Sequence, residues 1–108
     1  MTDALTPAQS LEYLRTLSAD IEEAAVLAAD GSLLAGPEHL AKPARELLAA
    51  APDAGELEVS TAEHSVFAAR SDRHALVLVC GRFVLPALVR FDLRMVLADL
   101  AGARRDVA

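Results

Sequence analysis

Residues Ala75-Leu76-Val77-Leu78-Val79-Cys80 form a run without one polar side chain, and no other stretch restricts the architecture as much. A strand with one wet face alternates apolar and polar residues. An unbroken apolar run is the pattern of a central strand covered on both faces. It is far short of the ~20 residues needed to span a bilayer, so no membrane segment is expected. Gly81 closes it. Upstream, Glu56-Leu57-Glu58-Val59-Ser60-Thr61 alternates strictly and predicts a strand with one face in water. Turns near Ala62-Glu63-His64 and at Ser71-Asp72-Arg73 flank a further strand from Ser65 to Arg70.

The first half of the chain supplies two helices and a hairpin. Thr6-Pro7-Ala8-Gln9 combines an N-cap, a first-position proline and a capping-box glutamine. Leu11, Leu14, Leu17 and Ile21 follow at helical spacing, predicting a helix from about Pro7 to Glu22. Asp30-Gly31 between Ala24–Ala29 and Ser32–Ala35 predicts a hairpin with a two-residue primed turn, both central residues at positive φ. After Gly36-Pro37, a second helix carries Leu40, Ala44, Leu47, Leu48 and Ala51 in phase and stops at Pro52. Pro43 leaves two options. Either it lies inside this helix at a cost of ~3 kcal/mol, or the helix starts there and Glu38 to Lys42 form a separate turn.

The last element is a long helix from about Leu85 to Leu100, with Pro86 in its first turn. Leu85, Val89, Leu93, Val96, Leu97 and Leu100 form its main apolar stripe, and Gly102 is the expected cap. Arg90, Arg94, Arg104 and Arg105 cluster beside the stripe, and Asp92, Asp99 and Asp106 share the far side. Leu88, Phe91 and Met95 make a second, smaller patch that meets the first helix or a partner.

The chain of 108 residues is read as one domain, with a core of about 7–100 and a frayed tail at 101–108. It is 54% hydrophobic but 4% aromatic, with no Trp, so its core is Leu, Val and Ala. A net charge of −6 and the shortage of stacking aromatics argue against nucleic acid. Residues 1–63 carry twelve acids and three bases, residues 64–108 four acids and seven bases. That asymmetry fits either complementary faces of two molecules or two solvated faces of one. Cys80 is the only cysteine, so no internal disulfide forms, and Met1-Thr2-Asp3-Ala4 lacks a basic, then apolar, leader. A cytoplasmic protein is the expectation.

Catalytic chemistry finds little support. His64, Ser65 and Asp72 include the residue types of a hydrolase triad, but no Gly-x-Ser-x-Gly exists, and adjacent strand residues face opposite ways. His39, His64 and His74 lack zinc-like spacing and read as surface histidines at turns. Glu22-Glu23 read as a solvated helix end. No glycine loop cradles a phosphate, and the one lysine, Lys42, precedes a proline. Cys80, at the end of a buried strand, reads as an inert packing residue. No enzyme activity, cofactor or metal is expected.

The order α-β-β-α-β-β-β-α resembles the roadblock/dynein light-chain family from about Pro7 to Leu100. The resemblance rests on the hairpin Ala24 to Ala35, the strand His74 to Cys80, and the helix segment Leu88 to Leu97, which is similar to bacterial members. It implies an α/β (α+β) fold: a five-stranded antiparallel sheet with helices 1 and 3 on one face and helix 2 on the other. It also implies homodimers in which third strands pair and second helices pack, drawing on Leu57, Val59, Leu40, Ala44, Leu47, Leu48 and Ala51. A strand at a sheet edge needs a partner or a protective device; Glu56 and Glu58 are such a device if they repel, and pairing is the reading adopted. The expected function is a non-catalytic homodimeric regulatory module, similar to bacterial roadblock proteins that modulate small Ras-like GTPases. Arg90, Arg94, Phe91 and Met95 either form a docking face for an acidic partner, or flank the core and pair with nearby acids. The alternative function is a small-ligand sensor of profilin-like build, against which the Ala-rich, aromatic-poor core argues because it leaves little room for a sizeable cavity.

Overall fold

A computed structural model describes residues 6–81 and 84–101. The elements are α1 (Pro7–Leu17), β1 (Ile21–Ala28), β2 (Leu33–Ala35), a 3-10 turn (Glu38–Leu40), α2 (Ala41–Ala50), β3 (Glu56–Ser60), β4 (His64–Arg70), β5 (His74–Gly81) and α3 (Pro86–Ala101). All strand pairs are antiparallel, in the order β2-β1-β5-β4-β3. The apolar run therefore lies at the centre, as its composition requires. Leu76, Leu78 and Cys80 face the larger core with Leu11, Leu14, Phe67, Val89, Leu93 and Val96. Ala75 and Val77 face a smaller one with Leu27, Ala44 and Ala68. Helices α1 and α3 thus cover one face and α2 the other, the layering that the roadblock resemblance implies.

Helix α1 begins on the expected capping box. The Gln9 N–H donates to Thr6 Oγ1 at 3.1 Å, and the Thr6 N–H donates to Gln9 Oε1 at 3.0 Å. Its end differs from the expectation of Glu22. Ser18 is extended (φ −152°, ψ 127°), and its hydroxyl accepts from the Asp20 N–H at 3.1 Å. Ile21 then enters β1 opposite Cys80. The apparent helical stripe thus joins two elements: Leu11 and Leu14 are buried from the helix, Ile21 from the strand, and Leu17 is exposed. Pairing with the central strand outweighs continued helical phase. Glu22 and Glu23 accordingly sit at an irregularity in β1, not on a helix end.

The first hairpin also departs from its expected turn. The Gly31 N–H donates to Ala28 O at 2.9 Å, and the Ala28 N–H donates to Ser32 O at 2.8 Å. Among the described residues only Gly31 (φ 89°) and Gly36 (φ 113°) have positive φ. Asp30 does not, so the two-residue primed turn is replaced by a longer loop with one left-handed glycine. In exchange, the Asp30 carboxylate accepts from the Ser32 N–H at 2.9 Å and the Ser32 hydroxyl at 2.7 Å.

Pro43 does not interrupt α2. The helix starts at Ala41 after the 3-10 turn, so Pro43 lies in the first turn, where an N–H has no intrahelical acceptor to lose. The far end of α2 is tied to β4. The Arg70 guanidinium donates through Nε to Ala54 O at 2.7 Å and also reaches Ala51 O.

Helix α3 buries Val89, Leu93, Val96, Leu97 and Leu100. Leu85 does not join that stripe. It precedes the helix and is 69% exposed, because Pro86 starts the helix one residue beyond it. Ala101, expected to begin the frayed tail, is the last residue of α3; the expected Gly102 cap, Arg104, Arg105, Asp106 and the rest of that tail lie outside the described residues, as does Met1–Ala4. No helix among the described residues is long and apolar enough to cross a membrane.

Candidate interaction surface

Strand β3 occupies one edge of the sheet and pairs only with β4. Two hydrogen-bonded pairs bracket it. The Arg70 N–H donates to Gly55 O at 2.9 Å, and the Thr61 N–H donates to His64 O at 2.8 Å. Antiparallel pairing alternates along the strand. Leu57 and Val59 therefore direct their backbone groups to β4, while Glu56, Glu58 and Ser60 direct theirs to the open edge.

The side chains divide the same way. Leu57 packs against the smaller core under α2, and Val59, two residues on, shares that face at 41% exposure. Of the helix seam, Leu40 and Ala44 are turned inward and buried. Leu47, Leu48 and Ala51 are half-buried at its border. The apolar surface left open is thus Val59 with parts of Leu57, Leu47, Leu48 and Ala51.

On the other face, Glu56 and Glu58 lie opposite Ala69 and Phe67 of β4 and meet α3. Arg90 Nη1 donates to Glu58 Oε1 at 2.5 Å, and Arg94 Nε donates to Glu56 Oε2 at 2.5 Å. The Arg94 hydrogen bond holds the Glu56 carboxyl below its usual range, with the charges of Arg94 and Arg90 adding to the effect; the same bond raises Arg94. Arg90 and Arg94 thus each pair with a glutamate of their own chain while remaining partly exposed. Above them on α3, Phe91 is 53% and Leu88 54% exposed, and Met95 is half-buried. Burial pushes the Asp92 carboxyl up.

No catalytic constellation assembles among these groups. Ser65 is buried and His64 half-buried on β4, and His64 Nε2 meets Glu22 Oε1 at 3.1 Å. His39 Nε2 pairs with Glu23 Oε2 at 2.6 Å, so the two adjacent glutamates serve separate histidines. The described residues hold no cluster of three or more His, Cys, Asp or Glu suited to a metal. Cys80 is free and buried; burial, then Asp20 and Glu22, push its thiol up to about 11.

One feature went unseen in the sequence. An open cleft of about 350 Å³ lies where the β1–β2 loop, α2 and the β4–β5 turn meet, lined by Asp30, Arg45, Arg70, Asp72 and His74 among others. Arg45 Nη1 donates to Gly31 O at 3.1 Å. His74 Nδ1 is buried without a hydrogen-bond partner among the described residues. These side chains come from three separated segments, and no local pattern announces their meeting. The cleft is larger than the Ala-rich core suggested, because it lies at the surface between elements and not within the core.

No protein-family model and no curated protein matches the sequence. Solved structures do match. Myxococcus xanthus MglB aligns with a TM-score of 0.75 at 14% identity, over 92% of this chain and 87% of that one. A roadblock/LC7 domain from Streptomyces avermitilis aligns at 0.70 and 18% identity, over 82% of this chain and 92% of that one. Schizosaccharomyces pombe profilin aligns at 0.73 and 12% identity, over 91% of this chain and 98% of that one. With its sheet order, its two-sided helical cover and these likenesses together, the chain has the fold of the roadblock/LC7 domains.

Proposed function

We propose that this chain is a non-catalytic, homodimeric interaction module that regulates a protein partner. A small Ras-like GTPase is the partner class suggested by the resemblance to bacterial roadblock proteins. The observation that carries the proposal is the open edge of β3, with exposed Val59 beside half-buried Leu57 on the face that α2 covers. An edge strand with a bordering apolar strip calls for a second molecule, and twofold pairing closes both at once. Leu47, Leu48 and Ala51 extend the strip, and Leu40 and Ala44 support it from below. An M. xanthus relative in fold, MglC, and an MglB structure described as tetrameric belong to the same structural group, which supports assembly as the mode of action. A cytoplasmic location belongs to the proposal, supported by the single free thiol.

Light scattering on the wild type and on Val59→Arg tests the dimer. The expected result is twice the chain mass for the wild type and a shift toward monomer for the variant. A wild type that is strictly monomeric at micromolar concentration overturns the proposal. Co-purification with small GTPases from the same genome neighbourhood tests the partner class, and consistent absence of binding removes it.

The cleft beside His74 and the likeness to profilin favour one alternative, a small-ligand sensor. Its volume lies in the range of small-molecule sites. A thermal-shift screen with common metabolites separates the two, since only the sensor gains stability from a small ligand.

A further inference from the structure

We infer that Arg90 and Arg94 license β3 to pair with a second copy of the chain, by neutralising an edge that would otherwise repel its own twin. The inference deepens the dimer proposed above and rests on it. Strand β3 is five residues long and carries Glu56 and Glu58. By the alternation fixed at Gly55–Arg70 and Thr61–His64, these are the residues whose backbone groups point outward. Any antiparallel twofold pairing that uses those groups must bring outward residues of the two copies together. In the registers that keep the strands overlapped, a glutamate then lies directly opposite a glutamate of the partner or one pair removed. Directly opposed side chains have Cβ atoms only about 5 Å apart, and like charges there oppose pairing.

Bare, such a strand is a protected edge of the kind that uses charge to refuse partners. It is not bare here. Each glutamate is matched by one arginine from α3, Arg90 with Glu58 and Arg94 with Glu56. The pairs are one to one, so the face that meets its copy is neutral. The arginines also sit on the same side of the sheet as the carboxylates, and twofold pairing keeps both α3 helices on that side. Four carboxylates and four guanidiniums then share one strip with no net charge. This fit is to a copy of the same chain. A more acidic or more basic partner strand would unbalance it.

The experiment measures the dimer dissociation constant by sedimentation for four proteins: wild type, Arg90→Gln/Arg94→Gln, Glu56→Gln/Glu58→Gln, and the variant with all four changes. Circular dichroism and melting temperature confirm that each is folded. The arginine double variant is expected to dimerise at least roughly tenfold more weakly and to regain dimer in about 1 M salt, where the Debye length falls to about 3 Å. The fourfold variant, neutral like the wild type, is expected to dimerise at least as well, and the glutamate double variant, whose arginines are left unmatched, more weakly at low salt. A purely structural role for the ion pairs predicts the opposite for the fourfold variant, which lacks every pair. An arginine double variant with wild-type affinity, or a fourfold variant that stays as weak as the double, overturns the inference while the dimer stands. A monomeric wild type overturns both.

Discussion

Arg94 grips Glu56 with two prongs, Nε donating to Oε2 at 2.5 Å and Nη2 to Oε1 at 3.3 Å, across 38 residues of sequence. With the Arg90–Glu58 pair, this contact ties the long helix α3 to the otherwise weakly held edge strand β3. The contact is exposed, so its contribution to stability is small and screened by salt. Its larger consequence is to set the charge of the edge.

The pair has a defined pH dependence. The Arg94 hydrogen bond depresses Glu56 from its ordinary 4.5, so on acidification the unfolded chain takes up its proton first. The stabilisation is complete above about 4.5 and disappears as pH falls through the lowered folded value. Glu56→Gln should therefore lose less stability than the wild type between about pH 7 and about pH 3. Urea midpoints at the two pH values check this; equal losses in both proteins would show that the pair contributes nothing.

Phe67 is fully buried at the heart of the larger core, on β4 opposite Leu78 of β5. The chain has few aromatics, and among the described residues the other rings, Tyr13 and Phe91, are exposed. Phe67→Ala should cost about 3–5 kcal/mol, a large share of the 5–15 kcal/mol typical of a whole domain. Urea denaturation reads it directly, and a loss below about 1 kcal/mol would mean that the site collapses to fill the space.

Gly36 and Gly31 both have positive φ, yet they differ in what a side chain would strike. At Gly36 an added Cβ would lie 2.5 Å from Ala24 O and 2.9 Å from Ala25 Cα, both backbone atoms of β1. At Gly31 it would lie 2.9 Å from Arg45 Cδ, part of a flexible and exposed side chain. Gly36→Ala should thus cost more than about 2 kcal/mol and Gly31→Ala only about 1 kcal/mol. Thermal melts of both variants test the order; the reverse order would contradict the close approach at Gly36.

The Cys80 thiol, buried and pushed up to about 11, is protonated and shielded at neutral pH. Alkylation by iodoacetamide should run at least roughly a hundredfold slower in the native protein than in urea. A native rate equal to the unfolded one would place the thiol at the surface and remove β5 from the centre of the sheet.

Elements that depend on near neighbours in sequence were legible without the structure. The Thr6–Gln9 capping box, the central position of Ala75–Cys80 and the strand at Glu56–Ser60 follow from patterns spanning a few residues, although the dry face expected of that strand is only half realised, with Leu57 half-buried and Val59 exposed. Boundaries were less legible. Ile21 keeps helical phase with Leu17, but pairing with Cys80 takes it into β1. Asp30-Gly31 has the composition of a primed turn, but the bonds from Ser32 keep Asp30 at negative φ.

What the amino-acid order determined by itself was therefore the succession of elements and the faces that each must bury, because periodicity is a local property of the backbone. The tertiary structure alone decided which charges meet. Arg90 and Arg94 could have faced solvent or an acidic partner, and only the sheet order that sets β3 beneath α3 brings them to Glu58 and Glu56, 32 and 38 residues away. The same holds for Arg45, Arg70 and His74 in their cleft. Side-chain charge acts through space, and the distances between these groups exist only after the sheet has closed.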